Sequence, residues 1–553
     1  MLFHLDIMPV ITFDYQDFKQ LFQQDISKEE LIKRLPMIGA DLDKVEDDAI
    51  SIEFFPDRPD LFSVEGIVRA SRAFFDIKTG ITSYPVQPSD IIVKVDASVK
   101  DIRPIVRCAL VKNVTMSDEL ITSLMDLQEK LHFGVGRNRK KVAIGVHNFE
   151  PVQGPFTYKA VDPQSVQFVP LGKVESMTLK DILEHHEKGV AYAHLLEDTT
   201  LYPLITDTYD NVLSFPPIIN GTLTEVTPFT TDLFIDVTGT SLKAVKIALN
   251  IVTTALAERG GAIFSTTIIN DAEKIVSPDL SPSHKPLSIE YVNKILGTNF
   301  DSNQVKKTLE KMGYDVEEKE PGKLTVFIPA WRPDILHEID LVEDVAIGYG
   351  YDNFKKTLPE VFTFGKQLPN QSIRDNLRTI MIGFGFNEVT TFTISNEKDE
   401  FEKLGMDKET RVELLNPITE DYTSIRTSLL PSLLKILNEN KHHHLPQQIF
   451  ELGIVVNEEF KNKFHLGAVK TSAKAHFTEC KSLVEGVMRE IGISSYEIVE
   501  KRHPAFVQGR CASVKKDDKE IGYFGELYPK TILNFELEHP TIAFEIHVDT
   551  LQK

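Results

Sequence analysis

Apolar residues recur along this chain with two periods, and glycine, proline and capping residues mark where one period gives way to the other. ISKEELIKRL (Ile26 to Leu35) predicts a helix, because Leu31 and Leu35 stand one turn apart with Ile32 beside them. Ser27 can cap it, Glu30 follows three residues on as in a capping box, and Ile26 can staple onto Leu31. Gly39 is the stop signal. AISIEFFP alternates as a half-buried strand does. In PDRPDLFSVEGIVRASRAFF, the positions Val64, Ile67, Val68 and Phe75 return to helical spacing. These elements make a small mixed N-terminal domain over residues 1–88.

Residues 89–272 mix strands with two long helices. IIVKVDASV, PIVRCALVKNV and KKVAIGVHNF are rich in β-branched residues at alternating positions and predict strands. MSDELITSLMDLQEKLHF and SLKAVKIALNIVTTALAERGG predict amphipathic helices, the second capped by Thr240 and ended by Gly260 and Gly261. Such a mixture predicts an α+β domain on an antiparallel or mixed sheet. SPDLSPSHKP (Ser277 to Pro286) reads as a linker. SIEYVNKILG, SNQVKKTLEKMGY, KLTVFIPAW and IDLVEDVAIGYGYDNF then supply three helices and a strand, a compact helix-rich module within 273–355. After a second linker, KKTLPEVFTFGKQLPNQ, a last α+β region spans 366–553. The fold class expected is therefore α+β and multidomain.

Composition narrows the function classes. The 553 residues carry 61 Lys and Arg against 82 Asp and Glu, a net charge of −21, and 42% are hydrophobic. That excludes a disordered or collagen-like chain. It also argues against a general nucleic-acid binder, since phosphate contacts need cations; RNA would meet a local basic patch or a partner chain. Cys108, Cys480 and Cys511 are too scattered for a disulfide framework or a metal knuckle, which fits a reducing compartment. The start MLFHLDIMPV lacks a basic region and places Asp6 in its apolar run, unlike a signal peptide. The most apolar helix, Ile247 to Ala257, is far shorter than the roughly 20 residues a bilayer needs. A cytoplasmic protein without a membrane partner is expected.

Two clusters could carry chemistry. In WRPDILHEIDLVED, Asp340, Glu343 and Asp344 crowd one helical face, and Asp334 stands on the entry to that helix. Hard oxygen ligands with only His337 as a nearby nitrogen donor favour Mg²⁺ over zinc, with some carboxylates acting through water. The plain alternative is a capping arrangement with Asp340 as N-cap and Glu343 completing the box. In DLFIDVTGTS, Asp236 and Thr238 share one strand face beside Gly239, able to recognise a hydroxyl- or amine-bearing ligand. YPLITD and LSFPPIING add stiffened loops with Ser214 and Asn220 as polar tips. The alternative there is a strand end whose polar groups meet only backbone or water. FGVGRNRKKV lacks the third glycine of a dinucleotide loop; its Arg137, Arg139, Lys140 and Lys141 form the best local basic patch and read as a solvated loop. His442, His443 and His444 are consecutive, so their side chains diverge. No GxSxG, HExxH, GxxxxGKS or paired CxxC motif occurs.

RPDLFSVEGIVRA, KKVAIGVHNFEPVQGPFTYKAVDP, FPPIINGTLT, LFIDVTGTSLKAV, IPAWRPDILHEIDLVEDVAIGYGYDN, SLLPSLLKILNENKHH, IFELG and HPAFVQGRCA follow one another over nearly the whole chain. In that order they resemble the β subunits of phenylalanine–tRNA ligases of the archaeal and eukaryotic cytosolic type. The resemblance implies a class II (αβ)₂ heterotetramer whose α subunit uses ATP to activate phenylalanine and passes it to tRNA(Phe). The β subunit would supply tRNA contacts and an editing site that hydrolyses mischarged Tyr-tRNA. Residue by residue, it places Leu204, Ser214, Asn220, Asp236 and Thr238 in the editing pocket of domain 89–272. It places Asp334, Asp340, Glu343 and Asp344 at a Mg²⁺ site near the interface with α, in the small B5-type module. The C-terminal region resembles a class II synthetase-like antiparallel-sheet module without catalytic motifs: Ile449 stands before Phe450 where a catalytic motif has arginine, and GFGF (Gly383 to Phe386) lacks the ATP-binding pattern. Relatives of this type commonly begin at Met-Pro, which implies Met8 as an alternative start to Met1. A second reading, of a different class, is a stand-alone tRNA-binding editing factor with no synthetase partner.

Overall fold

Local capping chemistry builds the first helices much as their residues dictate. The computed structural model describes residues 9–271, 273–358, 363–368 and 370–551, so the alternative start at Met8 lies outside them. Ser27 accepts from the Glu30 amide at 3.1 Å and opens the helix Lys28–Arg34, while Ile26 and Leu31 are buried in one core. The Glu30 side chain pairs with Arg34 at 2.9 Å and does not close a capping box. Ala49–Phe54 is the middle strand of a three-stranded sheet, burying Ile50, Ile52 and Phe54 on one face. Ser63 caps the helix Val64–Phe74, which packs on the same core.

The chain divides into two units, Met1–Thr357 and Leu358–Lys553, with the boundary inside the second stretch read as a linker. Within the first unit one apolar cluster runs from Ile11 through Val237 and Leu256 to Trp331, joining residues from all three expected N-terminal segments. Its central sheet has eleven strands. The path runs Ile219–Asn220, Val212–Phe215, Tyr202–Thr206, Phe156–Val161, Ile92–Val95, Ala262–Asn270, Ile105–Lys112, Leu233–Gly239 and Val142–Asn148. Ile92–Val95 runs parallel to both its neighbours and the other pairs on this path are antiparallel, so the sheet is mixed. Strands Ile105–Lys112, Val142–Asn148 and Leu233–Gly239 are buried on both faces. The helix Leu242–Glu258 covers one of those faces. It starts at Ser241 and not at Thr240, whose hydroxyl bonds the Lys140 carbonyl at 3.3 Å; Gly260, with φ of 91°, follows its end.

Ser277 to Pro286 is not a free linker. Ser277 ends the strand Glu273–Ser277, and its buried hydroxyl bonds the Cys108 carbonyl at 2.6 Å; Ser283–Ser288 is a further strand. That strand pairs with Lys323–Ile328, which pairs with Asp315–Glu320. Helices Ile289–Leu296, Ser302–Lys311 and Glu338–Tyr349 close a small core against these three strands. In the second unit a seven-stranded sheet is antiparallel except where Asn387–Glu388 joins Gln447–Val456. Among the described residues no helix is long and apolar enough to cross a membrane.

Candidate functional site

The sheet of the first unit curls until its two end strands approach. The Asn220 side-chain amide reaches the Val146 carbonyl at 3.4 Å, from one end of the strand order to the other. The curl encloses a cavity of about 420 Å³ lined by Ser214, Asn220, Asp236 and Thr238 together with His132 and Arg139. Four of the five residues expected in one pocket are thus brought together. Leu204 is not: it is fully buried in the apolar cluster with Phe215 and Ile218, and lines no part of this cavity.

Asp236 lies opposite Gly145 in the sheet register and is 1% exposed. Its Oδ2 is 2.7 Å from His147 Nε2, and His147 Nδ1 is 2.8 Å from the Thr224 hydroxyl. A Cβ on residue 145 would stand 2.1 Å from Asp236 Oδ2 and 2.6 Å from His147 Nε2, so only glycine leaves room for this pair. Thr238 is held by Arg103, whose Nε donates to its hydroxyl at 3.0 Å and whose Nη2 donates to its carbonyl at 2.9 Å. Burial lowers the Arg103 pKa to about 10, which leaves the guanidinium charged at neutral pH.

The buried Ser214 hydroxyl has no protein partner. His132 Nε2 accepts from the Ile144 amide at 2.8 Å, so the proton sits on Nδ1, which faces the Glu129 carboxylate 3.8 Å away. Burial lowers the pKa of His132 and favours this neutral form. Arg139 departs from the solvated-loop reading. It is buried, donating to the Ile218 carbonyl at 2.8 Å and to Glu129 at 2.7 Å, whereas Arg137 and Lys140 beside it are exposed. Left-handed φ values of 47°, 52° and 64° at Arg137, Asn138 and Arg139 turn that side chain inward.

The acidic cluster lines a separate cavity of about 660 Å³, which also includes Asp57 and Arg332. Asp334 and Asp344 are clamped by Arg332: Nη2 is 2.6 Å from Asp334 Oδ2 and 2.7 Å from Asp344 Oδ2. The Tyr314 hydroxyl also donates to Asp344. Asp340 is not the N-cap; its Oδ2 accepts from the Leu336 and His337 amides at 2.7 and 2.6 Å, one turn inside the helix, and Glu343 completes no box. Partial burial and then the fields of Asp344, Asp57, Asp340 and Asp334 hold the Glu343 carboxyl above its ordinary range, although it reaches solvent. The four acids do not gather as one ligand set. Among the described residues, the three potential ligands whose atoms lie within 4.8 Å of one another are Asp181, Glu184 and His185. With Asp334 and Asp344 sharing Arg332, the residues present fit a hydrated hard cation held by Glu343 and Asp340.

Residues 286–351 match the tRNA synthetase B5 domain model, and residues 354–548 match the phenylalanyl-tRNA synthetase β chain CLM domain model. The phenylalanine–tRNA ligase β subunit of Methanosarcina acetivorans is 49% identical over 98% of this chain and 99% of its own length. The chain belongs to the family of phenylalanine–tRNA ligase β subunits. The β subunit of Archaeoglobus fulgidus is 45% identical, covering 98% of each chain. The crystal structure of an N-terminal fragment of the phenylalanyl-tRNA synthetase β subunit from Pyrococcus horikoshii superposes with a TM-score of 0.60 at 39% identity. It covers 62% of this chain and 99% of the fragment. The mixed α/β, multi-sheet architecture is that of this β-subunit family.

Against this family frame, sequence reasoning missed His147, Thr224, Arg103 and His132. His147 lay in plain view in KKVAIGVHNF, on the same strand face as Gly145. A glycine and a histidine two apart in an otherwise β-branched strand were the available signal. Which strand they would face was not legible, because Val142–Asn148 meets Leu233–Gly239 across more than eighty residues of chain.

Proposed function

We propose that this β subunit contributes an editing site to a phenylalanine–tRNA ligase, with the cavity at Asp236 taking the tyrosyl group of mischarged Tyr-tRNA. The chain is a component of an aminoacyl-tRNA synthetase that works with an α subunit and tRNA. ATP is a substrate of the complex, consumed at the α subunit. Tyrosine differs from phenylalanine by one hydroxyl, which an apolar synthetic pocket rejects by only about 10². A second site that bonds the hydroxyl separates the two. Asp236 is the acceptor for it. In the hydrolytic step water adds to the ester carbonyl carbon, the bond to the ribose oxygen breaks, and that oxygen takes the proton. Tyrosine and tRNA with a free terminal hydroxyl result. The Ser214 hydroxyl, without a protein partner, is the donor this reading assigns to the carbonyl oxygen as it gains charge. His147 is closed off by Asp236 and Thr224 and is no general base, so the tRNA's own hydroxyl positions the water.

At the acidic cavity, Glu343 and Asp340 would hold a Mg²⁺ ion, with Asp334 and Asp344 locked by Arg332 as the wall behind them. The ion when bound supplies positive charge that offsets the crowded carboxylates. The C-terminal unit serves as a class II synthetase-like, non-catalytic module; Ile449 on its central sheet offers no charge to a nucleotide. Three free, buried cysteines suit the cytoplasm.

The observation that carries the editing reading is a buried carboxylate facing a half-open, partly polar cavity. Asp236→Asn in the α–β complex is expected to slow Tyr-tRNA clearance by at least about 10-fold while Phe-tRNA synthesis continues. Unchanged clearance would remove Asp236 from the role.

A further inference from the structure

We propose that His147, fixed in turn by Thr224, is a positioning residue that turns Asp236 into an acceptor selective for a hydroxyl-bearing aromatic side chain. This rests on the editing reading above and specifies how the site tells tyrosyl from phenylalanyl esters.

Proton counting sets the direction of the array. An ionised Asp236 offers only acceptors, so His147 must present Nε2–H to its Oδ2. A neutral ring then has a lone pair on Nδ1, which takes the Thr224 hydroxyl proton at 2.8 Å. The other acceptor within reach of that hydroxyl, the Gly221 carbonyl, is 3.4 Å away. The order is therefore Thr224 O–H to His147, then His147 N–H to Asp236. Each of the three residues is 1% exposed or less, so no bulk water substitutes for a missing partner. Gly145 leaves space for this carboxylate orientation, and a side chain there would remove it.

The consequence is chemical. One carboxylate oxygen is tied by His147, and the remaining acceptor capacity of Asp236, which lines the cavity, stays free for a ligand. A tyrosyl hydroxyl satisfies it. A phenyl edge leaves the second carboxylate oxygen desolvated and without a donor, which is costly, so the site is tuned against the correctly charged product. Without His147 the carboxylate can rotate, and the free acceptor no longer has a fixed direction into the cavity.

The test uses the α–β complex and measures kcat and KM for hydrolysis of Tyr-tRNA and of Phe-tRNA. His147→Leu is expected to lower kcat/KM for Tyr-tRNA by roughly 30-fold, through kcat, and to collapse the ratio of Tyr-tRNA to Phe-tRNA hydrolysis. His147→Gln, whose amide can still donate to Asp236, should restore part of both. Thr224→Val, which exchanges a hydroxyl for a methyl, should move the ratio the same way by about 5-fold. A histidine that only fills the core would lower thermal stability and leave the ratio alone. Should His147→Leu fail to assemble, Thr224→Val decides the matter. An unchanged ratio in the assembled variants, with clearance lost in Asp236→Asn, overturns the positioning role and spares the editing reading. A wild-type complex that clears no Tyr-tRNA overturns both.

Discussion

His503 stacks on Tyr523 with ring centroids 5.4 Å apart, beside Lys501, in the C-terminal unit. Burial first, and then the Lys501 charge, lower its pKa from 6.5 to about 4. The ring is neutral when folded and titrates near 6.5 when unfolded. Its contribution is therefore complete above pH 6.5 and is lost as the pH falls toward 4, at most roughly 3 kcal/mol. Thermal unfolding followed from pH 7 to pH 4 should show a falling transition temperature over that window, and His503→Asn should flatten the fall. An equal slope in the variant would assign the acid sensitivity to other groups. Residue chemistry of this kind was invisible in the sequence, where His503 had no special neighbour. Asp236 and Thr238, by contrast, were legible because strand alternation put them on one face. Leu204 rested on the family resemblance alone, and it packs in the apolar cluster with Phe215 and Ile218, which line the cavity where it does not.

At the scale of elements, caps and periodicity served well where partners are local. Ser27 caps the helix that follows it, as short-range chemistry requires, whereas Thr240 does not cap the helix after it. The helix Glu338–Tyr349 shows the limit. Its acids were legible as a cluster, but Arg332, six residues before the helix, takes Asp334 and Asp344 out of a common ligand set. Arg332→Met should lower the stability of the first unit by about 3–5 kcal/mol, because Asp344 is left buried beside Asp334 without its counter-charge. Denaturant unfolding measures this, and adding Asp344→Asn should recover part of the loss. A midpoint unmoved by Arg332→Met would mean that solvent already satisfies both carboxylates.

At the scale of the whole molecule, buried ionic contacts tie distant segments of the first unit together. Arg259 bonds Asp17 and Glu65, and Arg72 bonds Glu258, each across more than 180 residues of chain. Membership of the β-subunit family assigns the synthetic chemistry to its partner. Purification of the native protein should therefore yield an equimolar second polypeptide, seen as a heteromeric mass. The isolated chain should form no Phe-tRNA from ATP, phenylalanine and tRNA. A stable, fully active monomer would favour the stand-alone editing factor instead.

Order of residues alone determined seven helices, five strands, the family and the two clusters worth watching, because each depends on neighbours within a few turns of chain or on motifs read in line. The tertiary structure decided the rest. It curled the eleven-stranded sheet so that Asn220 meets Val146, set His147 against Asp236 through the gap at Gly145, and gave Arg332 to two of the four acids. Those outcomes depend on which strands pair and which charges share a low-dielectric interior, and local periodicity carries no record of either.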